Sequence, residues 1–441
     1  MFWFLILFPL LIYPWGYDPY YTLPKVGYLQ VFVLMSWLYI IIKRKYKNLA
    51  LTKSEFKIEA IIICFISLIC LSTLFSVDPQ TALYGTKNRY EGLLTLFSYC
   101  SVLLFSYRFI GTERLHKAMV GLGLISVVVS GYGILQFFSI DLLPRNSGKM
   151  VYDRSYSFFD NPNFFGSYLV LLIMVTVTLY LTSKKHMHTT GYLVIIWINF
   201  LALIYSGTRS GWVGMLCGIL LFSLLGILKR NHLWKKWGIL LITLAITILV
   251  VNVNEKGRLT DRASTVFSDS YNILTNQSTG REGSNRFFIW EKSMPLLKEN
   301  FWLGSGPDTF ALVFPEDEEK KQMFGDVIVD KAHNEYLQMG VTIGFPGLLT
   351  YLFLIVFVLR KSLQAIRDAD EKDKLVIIGL LSTIAGYLVQ AFFNISVAPV
   401  APIFWAILGI TLAKSEQQIN KPKGDTINID PLASENRNIS A

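Results

Sequence analysis

Residues 192–228 read YLVIIWINFLALIYSGTRSGWVGMLCGILLFSLLGIL, which is two apolar runs separated by the four residues from Ser206 to Arg209. A helix needs about 20 mostly apolar residues to cross the hydrocarbon core of a membrane. We therefore interpret 192–205 and 210–228 as two membrane-spanning helices that are joined in a tight hairpin.

Similar apolar runs continue in both directions from this hairpin. The 441 residues are 53 % hydrophobic and only 16 % charged, against roughly 25 % charged in an ordinary soluble domain. This composition excludes a soluble protein, a disordered chain and a disulfide scaffold, and it predicts an all-α integral membrane protein with about twelve transmembrane helices. The candidate spans are residues 2–14, 26–42, 58–75, 93–110, 118–138, 167–181, 192–205, 210–228, 239–253, 336–359, 375–393 and 397–412.

The basic residues predict how these spans are oriented. When the N-terminus is placed in the cytoplasm, 24 of the 41 Lys and Arg residues lie in cytoplasmic segments and 7 in short outside loops. Because short cytoplasmic loops carry the excess of basic residues in membrane proteins, we expect both termini in the cytoplasm. The net charge of +10 is then a record of orientation, and it is not a signature of nucleic-acid binding.

The predicted organisation is one polytopic membrane domain, residues 1–413, followed by a polar, disordered cytoplasmic tail, 414–441. Residues 2–14 lack the basic start and the small-residue cleavage site of a signal peptide, so we interpret them as a helix and leave open whether it crosses fully.

One outside segment, 254–335, is large enough to hold a site. Its first part, 264–284, is rich in Ser, Thr and Asn and is predicted to be irregular. Residues 285–300 carry Phe287, Trp290, Met294 and Leu297 at helical spacing. That spacing predicts an amphipathic helix at the membrane face.

Histidine is informative by its position. Four of the five histidines fall in predicted cytoplasmic loops, and only His333 lies on the outside, where the large loop re-enters the membrane. An unperturbed imidazole titrates near pH 6.5 and can act as a general base at neutral pH. His333 is therefore the candidate catalytic residue, with a purely structural role as the alternative.

Four outside arginines are candidates for binding an anion: Arg89, Arg154, Arg209 and Arg286. Guanidinium groups bind phosphate oxygens bidentately, so these residues could form a phosphate or diphosphate pocket. The alternative for Arg209 is a side chain that extends from the hairpin to the membrane interface.

A metal site has little support in the sequence. Asp326, Asp330 and His333 have a possible ligand spacing, but loop acids at such spacing are usually solvated, and no cysteine motif for zinc occurs. No nucleotide-binding or zinc-protease motif appears, so we expect no cofactor. The spans also lack acids at their centres, which argues against an ion-coupled transporter.

Five motifs, in order, resemble the O-antigen ligase and polymerase superfamily of bacterial membrane glycan transferases. The resemblance runs from about residue 60 to 410, and no single motif is specific. The motifs are Ser76-Val77-Asp78-Pro79 with Arg89-Tyr90-Glu91-Gly92; Arg154 with Phe158-Phe159-Asp160-Asn161-Pro162-Asn163; Ser206-Gly207-Thr208-Arg209-Ser210-Gly211-Trp212; Arg286 and Trp290 with Leu303-Gly304-Ser305-Gly306; and Ala332-His333-Asn334-Glu335-Tyr336-Leu337-Gln338 with Gly344 and Gly347.

The resemblance implies a helical fold of the GT-C type in the cytoplasmic (inner) membrane. It implies metal-independent, inverting transfer of a glycan from an undecaprenyl-diphosphate carrier to an acceptor hydroxyl at the outer face. Arg209 and Arg286 would bind the diphosphate with help from Arg154 and Arg89, and His333 would activate the acceptor. Supporting roles fall to Asn334, Asn163 and Trp290.

Two questions stay open at this stage. Polymerases and ligases of this type share the donor and differ in the acceptor, which is a second lipid-linked glycan or a terminal lipid, sugar or protein. A multispanning permease or flippase for lipid-linked sugars, without covalent chemistry, is the alternative from a different functional class.

Overall fold

The computed structural model describes residues 1–13, 21–46, 53–143, 154–228, 230–275 and 277–421, and within these ranges every regular element is helical. The helices are α1 (Phe2–Leu7), α2 (Thr22–Tyr46), α3 (Lys53–Leu74), α4 (Pro79–Tyr84), α5 (Leu93–Phe109), α6 (Thr112–Phe137), α7 (Pro162–Thr182), α8 (His186–Ser206), α9 (Arg209–Phe222), α10 (Trp234–Asn254), α11 (Arg258–Leu274), α12 (Glu282–Glu299), α13 (Phe310–Val313), α14 (Glu318–Phe324), α15 (Glu335–Thr342), α16 (Gly344–Asp368), α17 (Glu371–Phe392) and α18 (Ala401–Ile419).

The long helices confirm an all-helical membrane protein. Among the described residues, nine helical segments are long and apolar enough to cross a membrane: α2, α3, α6, α7, α8, α9 with the π-helical turn Ser223–Ile227 that continues it, α10, α16 and α17. Helix α5 is apolar but has only 17 residues, and α18 packs along α5 and α16. The predicted number of twelve spans is therefore not reproduced by these criteria.

Two of the predicted spans are not single long helices in the structure. Residues 2–14 contain α1, which has six residues, and a 3₁₀ turn at Phe8–Leu10; six helical residues extend only about 9 Å. Residues 336–359 form two helices, because the chain bends at Gly344. This glycine has φ +85°, and a Cβ atom there would lie 2.6 Å from the carbonyl oxygen of Trp302.

Helix α7 is the central element of the bundle. All of its apolar stretch is buried, because α6, α8, α9 and α17 surround it. A helix that is hydrophobic all round is stable only in such a position. Its first turn is capped by the Asn161 side chain, which accepts a hydrogen bond from the backbone N–H of Asn163. We call the end of the bundle that carries residues 255–334 the loop side.

The loop segment is mostly helical, which corrects the prediction for 264–284. Residues 264–274 lie in α11, whereas residues 277–281 and the turn at Gly283 and Ser284 are irregular. Helix α12 is present as predicted, but its buried side chains include Phe288, Ile289 and Leu296. It packs these residues into a second apolar cluster with Phe310 and other loop residues, while Met294 of the predicted apolar face is exposed.

The predicted start of the polar tail is also wrong. Helix α18 continues through Lys414 to Ile419, because its charged side chains have partners: the Lys414 ammonium lies 2.8 Å from an Asp373 carboxylate oxygen. Residues 422–441, the rest of the predicted tail, lie outside the described part of the chain.

Candidate functional site

The hairpin between α8 and α9 is held by two arginines from distant parts of the chain. Helix α8 ends with Gly207 at φ +57°, a conformation that favours glycine. Arg154 donates from Nε to the Ser206 carbonyl oxygen at 2.8 Å, and Arg262 donates from Nη2 to the Gly207 carbonyl oxygen at 3.0 Å. Cations are stabilising at the C-terminus of a helix, so both side chains fix the hairpin.

Arg154 and Asn163, which belong to the same motif, contact each other. Arg154 also donates from Nη2 to the Asn163 side-chain oxygen at 2.9 Å. The Thr208 hydroxyl donates to the Pro162 carbonyl oxygen at 2.8 Å, which ties the hairpin to the start of α7. The first helical residue after this anchored turn is Arg209.

Arg209 joins the hairpin to the loop segment. Its Nη1 donates to the Thr265 hydroxyl at 2.6 Å and lies 3.2 Å from an Asp269 carboxylate oxygen, both on α11. Its Nη2 donates to the Ser284 hydroxyl at 2.7 Å. The side chain therefore lies between three segments, and its planar fork has a fixed orientation.

Arg286 follows an unusual turn. Gly283, Ser284 and Asn285 all have φ between +61° and +65°, and left-handed conformations in consecutive residues other than glycine are strained. Regular helix begins directly after them, at Arg286. Such strain persists only where surrounding structure enforces it, and here it places the arginine at the first helical position.

Arg286 has no partner in the described part of the chain: its half-buried guanidinium makes neither a hydrogen bond nor an ion pair there. Burial first, and the charge of Arg209 second, lower the pKa of Arg286 to about 10. The two guanidinium groups line a common space.

That space is a cavity of about 120 Å³. Its polar wall includes both arginines and two acids, Asp269 and Glu282. Both acids already accept hydrogen bonds: Asp269 from Arg209 and the Gly283 backbone, and Glu282 from Ser278 and Thr279. The apolar wall is formed by Val213, Val266, Ile273, Phe287, Trp290 and Phe393.

His333 lies in a loop whose backbone is fixed on both sides. Trp290 donates from Nε1 to the Ala332 carbonyl oxygen at 3.0 Å, and the Gln338 side-chain oxygen accepts from the Ala332 N–H at 2.8 Å. The Asn334 side chain caps α15. His333 itself has φ +50°, so these contacts stabilise a conformation that a histidine seldom adopts.

Three ion pairs anchor the same loop. Arg89 donates from Nε to an Asp330 carboxylate oxygen at 2.7 Å. Next along the chain, the buried Lys331 ammonium lies 2.6 Å from Asp308 and 3.0 Å from Glu91. Burial opposes the charge of Lys331, but the two carboxylates outweigh it and raise its pKa.

Sequence reasoning missed Lys331, Asp308, Glu91 and Gln338 as contributors to the site. Two of them, Glu91 and Gln338, stood inside the motifs already quoted, and Lys331 lies two residues before His333. Only their position in a motif could have indicated them, since their partners are distant in the chain.

The electrostatics keep His333 neutral at neutral pH. Burial, and then the charge of Arg286, lower the pKa of the His333 imidazole to about 4, while Asp330 opposes the change. Its Nδ1 atom is buried and has no hydrogen-bond partner in the described ranges. Trp290 links the cation cavity to the His333 loop, because it lines the cavity and donates to the Ala332 carbonyl oxygen.

The weak metal hypothesis gains no support. Within the described residues, no group of three or more His, Cys, Asp or Glu side chains could hold a metal ion. Asp330 is paired with Arg89, and Asp326 is exposed to solvent.

Residues 194–352 match a family model described as O-antigen ligase. The matched segment includes the hairpin, both long loop helices and the His333 loop, and it confirms the resemblance to the O-antigen ligase superfamily over this part of the chain. A Haemophilus influenzae protein described as uncharacterized is 27 % identical over 190 residues, which cover 41 % of this chain and 46 % of the relative. The match thus spans about half the length of that relative.

Proposed function

We propose that the protein transfers a glycan from an undecaprenyl-diphosphate carrier to an acceptor hydroxyl, as O-antigen ligases and polymerases do. The matched family model indicates this type of activity. In the proposal, the site faces the outside of the cytoplasmic membrane, both termini are cytoplasmic, and the helices from α1 to α18 act as one membrane domain.

The observation that carries the proposal is the unpaired guanidinium of Arg286. It faces Arg209 in a cavity where Asp269 and Glu282 are already engaged by other donors. Bringing like charges together in a half-buried cavity is unfavourable unless an anion binds there. A diphosphate carries that charge, and its oxygens match the fork geometry of two guanidinium groups.

The apolar wall of the same cavity suits the rest of such a donor. Residues such as Val213 and Phe393 lie beside the arginines, and they offer a surface for the first isoprene units of a lipid carrier. A phosphate-binding pocket for a water-soluble ligand would have no need of this wall.

In the proposed chemistry, two arginines and one neutral histidine have separate roles. The acceptor hydroxyl oxygen attacks the anomeric carbon, and the bond from that carbon to the diphosphate oxygen breaks. Arg209 and Arg286 stabilise the negative charge that grows on the leaving diphosphate. His333, which is neutral because of its lowered pKa, accepts the hydroxyl proton.

Direct attack inverts the configuration at the anomeric carbon. The activated donor supplies the free energy, so the reaction needs no nucleotide, and the proposed mechanism uses no metal. Arg154 and Asn163 position the hairpin, Arg89 and Asn334 position the His333 loop, and Trp290 both holds that loop and lines the cavity.

The test is transfer by the purified protein in detergent, with a lipid-linked glycan as donor and no energy source. We expect Arg286→Met to lower kcat/KM by about 10²-fold, and His333→Ala by about 10²- to 10⁴-fold. Arg281→Met is the matched control, because Arg281 is exposed and lies five residues earlier in the same loop. Undiminished transfer by either site variant would contradict its role.

The same preparation separates the alternatives. If sealed vesicles move the lipid-linked glycan across the bilayer and no new glycosidic bond forms, the protein is a flippase. Supplying either a second lipid-linked glycan or a terminal lipid as acceptor distinguishes polymerase from ligase.

A further inference from the structure

Helix α11 has two faces with different surroundings. The face that carries Arg262, Thr265 and Asp269 contacts the hairpin through the hydrogen bonds described above. The opposite face carries Phe267, Tyr271 and Leu274, whose exposed fractions are 76 %, 62 % and 83 %. These three residues have the spacing i, i+4 and i+7, so they form one stripe along the helix.

The height of α11 above the membrane is fixed at its first turn. Helix α10 has 21 residues and is therefore about 31 Å long, enough to cross the hydrocarbon core. Only Glu255, Lys256 and Gly257 separate its end from the start of α11. Three residues extend no more than about 11 Å, so α11 begins at the level where a membrane surface lies.

The hairpin fixes the height of the rest of the helix. Gly207 and Arg209 lie between the ends of two spanning helices, α8 and α9. Their contacts with Arg262, Thr265 and Asp269 hold more than two turns of α11 at that same level. The helix thus lies along the plane formed by the ends of the spanning helices and does not project away from that plane.

The lipid-facing surface of α10 leads directly to the exposed stripe. Ile246, Leu249 and Val253 on α10 are more than half exposed, as expected for side chains that face lipid. Asp261 and Ser268 are exposed on a separate face of α11. An amphipathic helix of this kind binds in the interface with its apolar side about 5–10 Å into the headgroup and acyl boundary.

We propose that α11 is an interfacial helix that inserts Phe267, Tyr271 and Leu274 into the phospholipid leaflet on the loop side of the bundle. Its partner is the bilayer itself. Because the other side of α11 contacts Arg209 and lines the cation cavity through Val266 and Ile273, the leaflet and the cavity share one helix as their common wall.

The test compares two neighbouring positions. Phe267→Cys and Ser268→Cys, each labelled with an environment-sensitive nitrobenzoxadiazole dye, are reconstituted in vesicles of phosphatidylethanolamine and phosphatidylglycerol. The four native cysteines are replaced by alanine in both. Consecutive residues point about 100° apart on a helix, so Ser268 is the matched control for the polar side, and Leu274→Cys provides a second probe of the apolar stripe.

We expect iodide in the water phase to quench the dye at 267 and at 274 at least about 3-fold less than at 268. We also expect lipids with a nitroxide at carbon 5 to quench it more than lipids with a nitroxide at carbon 12, because the helix lies at shallow depth. Equal iodide quenching at all three positions would overturn the proposal.

A photo-crosslinking residue at position 267 identifies the occupant independently of activity. A product with the mass of protein plus one phospholipid supports the proposal. A crosslinked dimer, or a product with another protein, would instead assign the stripe to a protein interface and overturn it. Neither result depends on glycan transfer, so the proposed function can fail while this inference stands.

Discussion

Replacing Arg286 by methionine is expected to raise the pKa of His333. The wild-type value of about 4 lies well below the ordinary histidine value of 6.5, a difference worth roughly 3 kcal/mol between the two protonation states. Burial is the larger cause and the charge of Arg286 the second. Methionine keeps most of the volume and removes the charge, so burial is largely preserved.

We expect the pKa of His333 to rise by about 1 in this variant, since a nearby charge changes a pKa by roughly that amount or more. The value stays below 6.5 because burial remains. The sign follows from the charge: without a cation beside it, the imidazolium form is less unfavourable, and the proton binds at higher pH.

The measurement is a ¹³C NMR titration of histidine-labelled protein in nanodiscs. Only five histidines contribute, and His333→Ala identifies the relevant signal. Arg281→Met, which removes an exposed charge from the same loop, should leave the titration unchanged. An unchanged or lower pKa of His333 in the Arg286 variant would refute the inference that both residues belong to one electrostatic site.

Three further predictions concern the His333 loop. Lys331→Met leaves two buried carboxylates without their cation and should lower the free energy of unfolding by about 3–5 kcal/mol, measured by denaturant titration in detergent. Lys331→Arg should lower it by less, and Lys321→Met, at an exposed position, by less than about 0.5 kcal/mol. Equal losses for all three variants would contradict the argument. Trp290→Phe removes the hydrogen bond to Ala332 but keeps an aromatic ring, so we expect the free energy of unfolding to fall by about 1 kcal/mol. We also expect kcat to fall more than it does in surface variants that lose the same stability. On the acid side, kcat/KM should fall near the pKa of His333 in the free protein, about 4. The fall in kcat should occur at higher pH, because a bound diphosphate raises the pKa of His333. If kcat and kcat/KM fell at the same pH, no anion would bind beside His333.

The sequence was sufficient for features that depend on local pattern. The hairpin at 206–209, the helix that contains Arg286 and Trp290, and the position of His333 where the loop returns to the bundle all follow from apolar runs and their interruptions. These features are short in range, so hydropathy and helical spacing record them directly.

Helix α11 could not be predicted in the same way. Eight of its 17 residues are Ser, Thr, Asp or Asn, which have weak helix propensity because their side chains compete for backbone hydrogen bonds. What stabilises it is contact with the hairpin through Arg262 and Asp269, residues more than 50 positions from their partners. Residues 336–359 show the opposite error, since one helix was predicted and two are present. The backbone of Trp302 contacts Gly344, and the chain bends there.

The role of Lys331 illustrates a similar limit at the site itself. Its sequence context, Asp330-Lys331-Ala332-His333, has the composition of a solvated turn, yet the ammonium is buried. The carboxylates that make burial possible come from Glu91, 240 positions away, and Asp308. A charge pair of that separation leaves no periodic signal in one sequence.

The two acids in the cation cavity explain why Arg286 is left without a partner. Burial would raise the pKa of Glu282, but hydrogen bonds from Thr279 and Ser278 lower it to about 2, so this carboxylate is ionised and fully engaged beside the arginine. Asp269 is shared between Arg209 and the Gly283 backbone. If either acid were released, it could neutralise Arg286 and close the cavity to an external anion. The turn with three left-handed residues lies between Glu282 and Arg286, and it keeps the acid and the base of one segment from pairing. The strain in that turn therefore has a physical consequence, which is that positive charge stays available for a ligand.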